Sequence, residues 1–378
     1  MASLDDFLFK KKVILIEPYI DTKKGHSLEK LILWVNFFLE KGSNVIIYTY
    51  NKSTMAGINR DKVEIKNISS IFVLLGKIIF KRYRNLWKDF WTYFFAFKES
   101  KEDQPIFLGL TLSNPISLAL ASVFYNPYKN WGQIVMSSGL KLKDNQIKFN
   151  KLSGLSLKYL DKKGCSILCN LDFSVEKMKR DLKIKKVFFL NDPIFFRDKT
   201  ITNKQEWENS VIVSGGEDWR RTPIEHIKMA KLNPMIDRLF LHQIDKLKQE
   251  QFLSVKKFVY EDKYFFSEEL FDFFADKKFS FIIYAPKFIA GSANLATSIL
   301  AGTPVLSSNF IYAKEVFEKY GKVGEMFEYK NIKSFQKSWE NLTSWKEKDW
   351  EEFYIARMKF IKDVNMKSIF EKCVKIID

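Results

Sequence analysis

The stretch from residue 290 to residue 306 reads AGSANLATSILAGTPVL and follows an apolar run, Phe279–Tyr284. The apolar run predicts a buried strand, and the small residues after it predict a tight loop. Residues 293–300 predict a short helix, which Gly302-Thr303-Pro304 ends before a second apolar strand at Pro304–Leu306. Strand, helix and strand in this order form the βαβ unit of a parallel sheet.

The same alternation occupies most of the chain. It begins with a strand at Val13–Ile16, a helix, and a strand at Val45–Tyr48. Further strands are predicted at Ile106–Leu110, Gln133–Met136, Ser166–Leu168, Val187–Leu190, Val211–Val213, Leu239–Leu241 and Lys257–Tyr260, and further helices at Pro115–Phe124, Ser174–Leu182 and Glu268–Ala275. The turn Asn191-Asp192-Pro193 and the polar residues after it indicate a domain boundary. We therefore predict an α/β protein with two Rossmann-like, doubly wound domains, 1–197 and 198–352.

Length, composition and charge limit the possible classes of protein. The 378 residues exceed the size of a single hydrophobic core, and 46% hydrophobic residues exclude intrinsic disorder. The formal net charge of +17 predicts an anionic partner. Three cysteines are too few for a disulfide scaffold, and no stretch is long and apolar enough to span a bilayer. We therefore expect a cytoplasmic protein.

Parallel α/β sheets bind ligands at the carboxyl ends of their strands, where the N-termini of helices point. Three such positions carry glycine, serine or basic residues. The first is Gly25-His26-Ser27, where a neutral His26 imidazole can accept a proton from an attacking hydroxyl. On this triplet alone, a solvent-exposed helix start is the better interpretation.

The second position is the run SGGEDWRRT, residues 214–222. Gly215 and Gly216 leave a predicted strand, and Arg220 and Arg221 precede a predicted helix. Two guanidinium groups beside helical N–H groups form a site for a diphosphate. The alternative is a solvated arginine pair.

The third position lies in the stretch from residue 290 to residue 306, between two predicted strands. Gly291 and Ser292 permit a pyrophosphate to approach the helix start closely. Asn294 and Thr297, three positions apart, present polar groups on one face of the helix. The alternative is a tightly packed corner that binds no ligand.

Four segments, in order along the chain, resemble GT-B glycosyltransferases. AGTPV (301–305) resembles the signature of the nucleotide-sugar site, and YAKEVF (312–317) the segment after that site. FLNDPIFF (189–196) resembles the segment that closes the first domain, and residues 25–49 resemble its start. The chain thus resembles nucleotide-sugar-dependent glycosyltransferases with the GT-B fold, of the group 1 or family 4 type.

This resemblance implies two domains that face each other across a cleft and a C-terminal helix, 353–378, that crosses back to the first domain. It implies a nucleotide-diphosphate sugar as co-substrate, with no other cofactor and no metal. Arg221, alone or together with Arg220, would neutralise the donor diphosphate. The full predicted donor set is Gly25, Gly215, Gly216, Arg220, Arg221, Gly291, Ser292, Asn294 and Thr297.

The catalytic residues are also assigned through the resemblance. His26 lies where inverting members carry the catalytic base, and Asp21 or Glu17 is the carboxylate alternative. Retaining members carry two glutamates, which here would lie at Ile289 and Thr297. Because neither residue is a glutamate, the choice between retaining and inverting chemistry stays open.

Residues 71–101 combine ten aromatic residues with seven Lys or Arg. This mixture suits an interfacial helix on an anionic membrane, or an acceptor-binding patch. A core-facing helix pair with a solvated basic face is an equal alternative, and single-stranded nucleic acid ranks lower. The predicted patch consists of Lys77, Lys81, Arg82, Arg84, Trp87, Lys88 and Trp91.

We expect transfer of a sugar to a hydroxyl of a glycan or lipid-linked acceptor, in cell-surface polysaccharide or glycolipid synthesis, by a protein peripheral to the inner face of the membrane. Three alternatives remain. They are a phage-type transferase acting on DNA bases, a catalytically degenerate GT-B scaffold protein, and a nucleotide-sugar epimerase of the same fold.

Overall fold

A computed structural model describes most of the chain. The described residues are 4–18, 26–50, 58, 61–68, 72, 84–99, 105–111, 115–125, 131–134, 140–143, 146–197, 204, 207–214, 238–242, 258–261, 265, 267–286 and 288–377. The chain divides into two compact units, Met1–Pro193 with Lys367–Asp378, and Ile194–Met366. The predicted domain boundaries at residues 197 and 352, and the predicted cleft, stay predictions.

The first unit is built on a seven-stranded sheet in the order β3-β2-β1-β4-β5-β8-β9, with every described pairing parallel. Its strands are β1 (Lys12–Ile16), β2 (Asn44–Thr49), β3 (Val63–Asn67), β4 (Ile106–Gly109), β5 (Trp131–Ile134), β8 (Ser166–Cys169) and β9 (Val187–Phe189). A separate antiparallel pair joins β6 (Leu140–Lys143) and β7 (Gln146–Phe149). The strand order reverses between β1 and β4, which makes that point the topological switch of the sheet.

Helices connect these strands because parallel strands need crossover connections. They are α1 (Leu4–Leu8), α2 (His26–Glu40), α3 (Arg84–Glu99), α4 (Pro115–Phe124), α5 (Lys151–Lys162) and α6 (Asp172–Lys177), followed by a π-helical turn at Met178–Leu182. The core of β1 is apolar, since Val13, Ile14 and Leu15 are all buried. The continuous apolar runs of the sequence therefore correspond to strands covered on both faces.

The second unit repeats this plan with six parallel strands in the order β12-β11-β10-β13-β14-β15. The strands are β10 (Ser210–Ser214), β11 (Arg238–His242), β12 (Phe258–Glu261), β13 (Phe279–Ile282), β14 (Val305–Ser308) and β15 (Gly324–Phe327). The described helices are α7 (Ser267–Ala275), α8 (Ala293–Leu300), α9 (Ile311–Tyr320), α10 (Ile332–Thr343) and α11 (Glu347–Val364). The prediction of an α/β protein with two Rossmann-like sheets is confirmed.

The C-terminal tail is two helices, not the single helix expected over 353–378. The first, α11, ends at Val364, because Asn365 leaves the helical region with φ −55° and ψ 124°. The second, α12 (Met366–Ile377), belongs almost wholly to the first unit. There Phe370 packs on Trp34 of α2, with ring centroids 4.3 Å apart.

The helix predicted to begin at Ser174 starts two residues earlier. Leu171 occupies the N-cap position of α6, and Ser174 is buried within the first turn. The prediction that the helix begins at Ser174 is therefore wrong by two residues.

We predict that Gly109→Ala destabilises the first unit. A Cβ at Gly109 would overlap the Gln133 amide oxygen and the Tyr93 hydroxyl, which bond to each other beside the end of β4. Gln133 also donates from Nε2 to Gly109 O at 3.2 Å, so it has little freedom to withdraw. Overpacking of this kind costs about 1–3 kcal/mol. Calorimetric melting of the purified chain measures the loss.

The control for this prediction is the same substitution in a Tyr93→Phe background. One of the two overlapping atoms is then absent, so Gly109→Ala should lower the melting temperature by less. An equal loss in both backgrounds would contradict the overlap as its cause.

Candidate functional site

The second sheet presents its topological switch between β10 and β13, which are neighbours in the sheet. β10 ends at Ser214, and β13 leads through the loop 283–292 into α8. Doubly wound sheets bind ligands at the carboxyl ends of their strands beside this switch. The third predicted position thus lies where the topology favours a ligand.

The first turn of α8 has a defined cap. Ser292 is the N-cap residue, and its Oγ accepts a hydrogen bond from Leu295 N at 3.2 Å. The Ser292 hydroxyl also lies 3.4 Å from the Tyr284 hydroxyl, to which it donates. A capped helix start beside a switch point offers N–H groups and a positive dipole end to an anion.

Asn294 joins this helix start to the neighbouring strand. Its Nδ2 donates to Ser214 O at 3.0 Å, across 80 residues of sequence. Ser214 begins the second predicted position, so the structure brings the second and third positions together at this bond. Gly215, Gly216, Arg220 and Arg221 lie outside the described residues.

The other two residues predicted on this segment differ in exposure. Gly291 is partly exposed beside the helix start. Thr297 is only 4% exposed, one turn further along α8. Its contact with a ribose stays a prediction, and its burial argues against a direct contact.

The loop before α8 rests on aromatic rings that sequence reasoning missed. Tyr284 stacks on Phe288 with centroids 4.3 Å apart and an interplanar angle of 11°, and it also packs against Phe310. The Ser308 hydroxyl accepts from Tyr284 N and donates to Tyr284 O. The only sequence signal was the aromatic residue at the end of the predicted strand 279–284.

The second half of the AGTPV segment is a packed corner. The Ser298 hydroxyl donates to Thr303 O at 2.7 Å, and the Thr303 hydroxyl donates to Phe274 O at 2.6 Å. Buried Arg357 of α11 donates twice to Leu300 O, at 3.0 Å and 2.8 Å. The packed-corner alternative therefore describes residues 298–305. Gly291 and Asn294, which are partly exposed, lie at the start of the helix, where Ser292 is buried.

Most of the predicted catalytic side chains at the first sheet lie outside the described residues. Asp21 and Gly25 lie outside the described residues, and His26 is described only as the first residue of α2. Glu17, the further carboxylate alternative, follows β1 directly and is fully buried. Its backbone N donates to Tyr48 O at 3.0 Å, which continues the pairing of β1 with β2.

A second buried carboxylate at this edge was missed by sequence reasoning. Asp89 of α3 is fully buried and accepts a hydrogen bond from the Ser117 hydroxyl at 3.3 Å. Ser117 lies in the first turn of α4, which follows β4. In the sequence, this region was singled out only because Trp87 and Lys88 belong to the predicted membrane or acceptor patch.

The predicted membrane or acceptor patch needs a correction at Lys88. This residue is 3% exposed, and its Nζ lies 5.5 Å from the centroid of the Tyr50 ring. A buried lysine cannot present its charge to a surface. The reason is amphipathic packing, since Lys88 lies on the same helix face as Thr92, which is also buried.

The two tryptophans of the patch are half-buried. Trp87 donates from Nε1 to Phe72 O at 2.8 Å, and the Trp91 ring packs 4.1 Å from that of Phe72. The inner face of α3 therefore follows the core-facing alternative. Lys77, Lys81, Arg82 and the side chain of Arg84 lie outside the described residues.

Neither a metal site nor a membrane-spanning helix is found among the residues that the structure describes. Metal-independence stays a prediction. The three cysteines are buried free thiols, and burial raises the pKa of Cys169 to about 12.

Comparison with known proteins identifies the fold. No protein-family model and no curated protein sequence matches the chain. A point mutant of S. aureus TarM, solved with fondaparinux, alpha-GlcNAc-glycerol and UDP, superimposes with a TM-score of 0.72 and 11% identity over 97% of this chain and all of that one. WaaG, a glycosyltransferase involved in lipopolysaccharide biosynthesis, gives 0.64 and 15%, over 97% and 99% of the two chains.

A third similar structure, Anabaena HepE with UDP-glucose, gives a TM-score of 0.63 at 10% identity, over 97% and 98% of the two chains. All three likenesses cover nearly the whole chain. The protein therefore has the GT-B fold of these glycosyltransferases, as the sequence resemblance implied.

We predict that Asn294→Asp destabilises the second unit. The substitution replaces an amide donor with a carboxylate that opposes the Ser214 carbonyl. The loss of the bond and the unsatisfied carbonyl should cost about 1–3 kcal/mol. Thermal melting measures it, and Asn341→Asp on the exposed face of α10 is the matched control. Equal melting temperatures for the two variants would contradict a role for the Asn294 bond.

Proposed function

We propose that this protein is a glycosyltransferase. It moves a sugar from a nucleotide-diphosphate sugar to a hydroxyl of a glycan or lipid-linked acceptor, in the synthesis of cell-surface polysaccharide or glycolipid. The observation that carries this proposal is the joined carboxyl edge of the second sheet, where Asn294 links the start of α8 to the end of β10.

The donor diphosphate binds at that edge. The N–H groups in the first turn of α8 face it, with Ser292 holding the turn in shape. Arg220 and Arg221 neutralise its charge, and Gly215 and Gly216 allow the backbone to approach it. These four residues follow Ser214, the last residue of β10, along the chain.

The base of the proposed reaction belongs to the first unit. His26, at the start of α2, takes the proton of the acceptor hydroxyl while that oxygen attacks the anomeric carbon of the sugar. The bond from this carbon to the diphosphate breaks, and the two arginines stabilise the departing charge. Asp21 is the alternative base. The proposed reaction inverts the configuration at the anomeric carbon. Ile289 and Thr297, which occupy the two glutamate positions of retaining members, supply no carboxylate for a retaining reaction.

The structural neighbours support a UDP-linked donor as the first to test. TarM and HepE were solved with UDP or UDP-glucose, and WaaG takes part in lipopolysaccharide biosynthesis. The acceptor of this chain is proposed from the same comparison and from its net charge of +17, which favours an acidic glycan or lipid.

A degenerate scaffold protein is the second candidate. The observation that favours it is the character of the two glutamate positions, since Ile289 is apolar and Thr297 is buried. A scaffold of this kind would show neither transfer nor hydrolysis with any nucleotide sugar.

We predict that a UDP-linked sugar raises the melting temperature more than GDP-, ADP- or CMP-linked sugars do. A ligand at a hundredfold excess over its Kd stabilises the folded state by about 2.7 kcal/mol. Arg220→Ala/Arg221→Ala should remove most of the shift, because the diphosphate loses its two cations. A fluorescence melting panel measures it.

The matched control is Lys179→Ala/Arg180→Ala, which removes the same charge from an exposed pair in the first unit. It should leave the shift intact. An equal response to all four nucleotides, or an equal loss in both double variants, would indicate unspecific anion binding and contradict the proposed site.

We predict that His26→Ala lowers kcat by about 10²–10⁴-fold, the usual contribution of a general base. The donor-induced melting shift should stay unchanged, because His26 acts on the acceptor. Asp21→Asn is the companion variant in the same transfer assay. Full turnover by His26→Ala together with a loss in Asp21→Asn would assign the base to Asp21 instead.

A further inference from the structure

The outer face of α4 is apolar, although it is exposed. The helix reads PISLALASVF and contains no charged residue. Leu120, Val123 and Phe124 are 45%, 61% and 63% exposed. The outward face of a surface helix is normally polar, so an apolar one indicates a site of contact.

The apolar surface continues onto the neighbouring helix. α4 packs against α5, where Leu152 and Leu155 are 60% and 55% exposed. On its other side α4 packs against α3, and the Phe124 ring lies 5.9 Å from that of Phe94. We name Leu120, Val123, Phe124, Leu152 and Leu155 the α4–α5 apolar face.

Exposed lysines border this face on α5. Lys151, Lys158 and Lys162 are exposed and share one side of α5 with Leu155, at spacings of four, three and seven residues from it. The segment from residue 151 to residue 186 contains ten Lys or Arg against four Asp or Glu. Its π-helical turn adjoins α5, since a Cβ at Gly154 would lie 3.1 Å from Leu182.

Two of the four acidic groups in this segment are engaged locally. Asp161 accepts hydrogen bonds from the backbone N of Lys185 and of Lys186. Asp181 is paired with Lys177 at 2.6 Å and with Arg180 at 2.9 Å. The exposed charges shown to lie beside Leu155 on α5 belong to lysines, so the charge that borders the apolar face on this helix is positive.

We propose that the α4–α5 apolar face docks on the surface of an anionic lipid bilayer. Its leucine, valine and phenylalanine side chains enter the boundary between headgroups and acyl chains, and the lysines contact the headgroup phosphates. The contact needs no glycosyl transfer, so this inference goes beyond the proposed function. It also assigns membrane contact to residues other than the patch predicted within 77–91.

Charge favours a bilayer over a second copy of the chain. In a symmetric pair, each copy would bring its own lysines against those of the other, and like charges across an interface oppose association. An anionic lipid surface complements both the apolar centre and the basic margin. A second copy is therefore an outcome of the test rather than the proposal.

The test is co-sedimentation of the full chain with phosphatidylcholine vesicles, with and without phosphatidylglycerol. The unsubstituted protein should bind the anionic vesicles, and added salt should weaken the binding. Val123→Ser/Phe124→Ser and Leu152→Ser/Leu155→Ser should each lower the partition coefficient about tenfold or more. Lys158→Gln/Lys162→Gln should lower binding to the anionic vesicles only.

The matched control is Ile355→Ser/Met358→Ser on α11, where the two side chains are 58% and 51% exposed in the second unit. This variant should sediment like the unsubstituted protein. Melting curves of all variants verify folding, which substitutions at exposed positions should preserve.

Three results would overturn the proposal. They are no sedimentation with anionic vesicles, unchanged binding by both α4–α5 variants, and a dimer in light scattering that these variants abolish, which would identify a second copy as the partner. The donor-induced melting shift, measured on the same samples, tests the transferase separately. A chain that binds vesicles through this face but responds to no nucleotide sugar would refute only the proposed function.

Discussion

One side-chain hydrogen bond, from Asn294 to Ser214, holds the start of α8 against the end of β10. The geometry of the candidate donor site depends on it. The opposite end of α8 is fixed by Arg357, which donates twice to Leu300 O. A helix that is held at both ends presents its N–H groups in a fixed direction, which is the preorganisation that anion binding requires.

The parallel sheets explain why the candidate functional residues lie at the carboxyl ends of the strands. Every strand in a doubly wound sheet delivers its following helix with the N-terminus toward the carboxyl edge. Both units follow this rule, and so the glycine-rich and basic segments of the sequence follow strand ends. The two units differ in what they place there, since Glu17 and Asp89 lie buried near the first switch, and Ser292 and Asn294 lie near the second.

The elements were largely predictable because buried parallel strands appear as uninterrupted apolar runs. β1, β13 and α8 are examples, and the last was predicted at its observed bounds, Ala293–Leu300. Contacts between distant residues were not predictable, because spacing along the chain carries no information about them. The Asn294 bond, the burial of Lys88 and the engagement of Thr303 in a packed corner all belong to this group.

Lysines occur in two different environments in this protein, the buried core and an exposed helix face. In the second unit, buried Lys204 donates to Lys277 O and to the Thr303 hydroxyl. Its ammonium group therefore forms hydrogen bonds within the core. On α5 of the first unit, exposed lysines border an apolar surface and meet solvent. The total of +17 says nothing about this division, which only the fold assigns.

The most direct test of the proposed donor site is a crystal structure of the chain with a UDP-linked sugar. We expect the diphosphate within hydrogen-bonding distance of the first turn of α8, beside Ser214 and the arginines that follow it. A diphosphate bound at the amino edge of the second sheet, or at the first sheet alone, would contradict the assignment of this site.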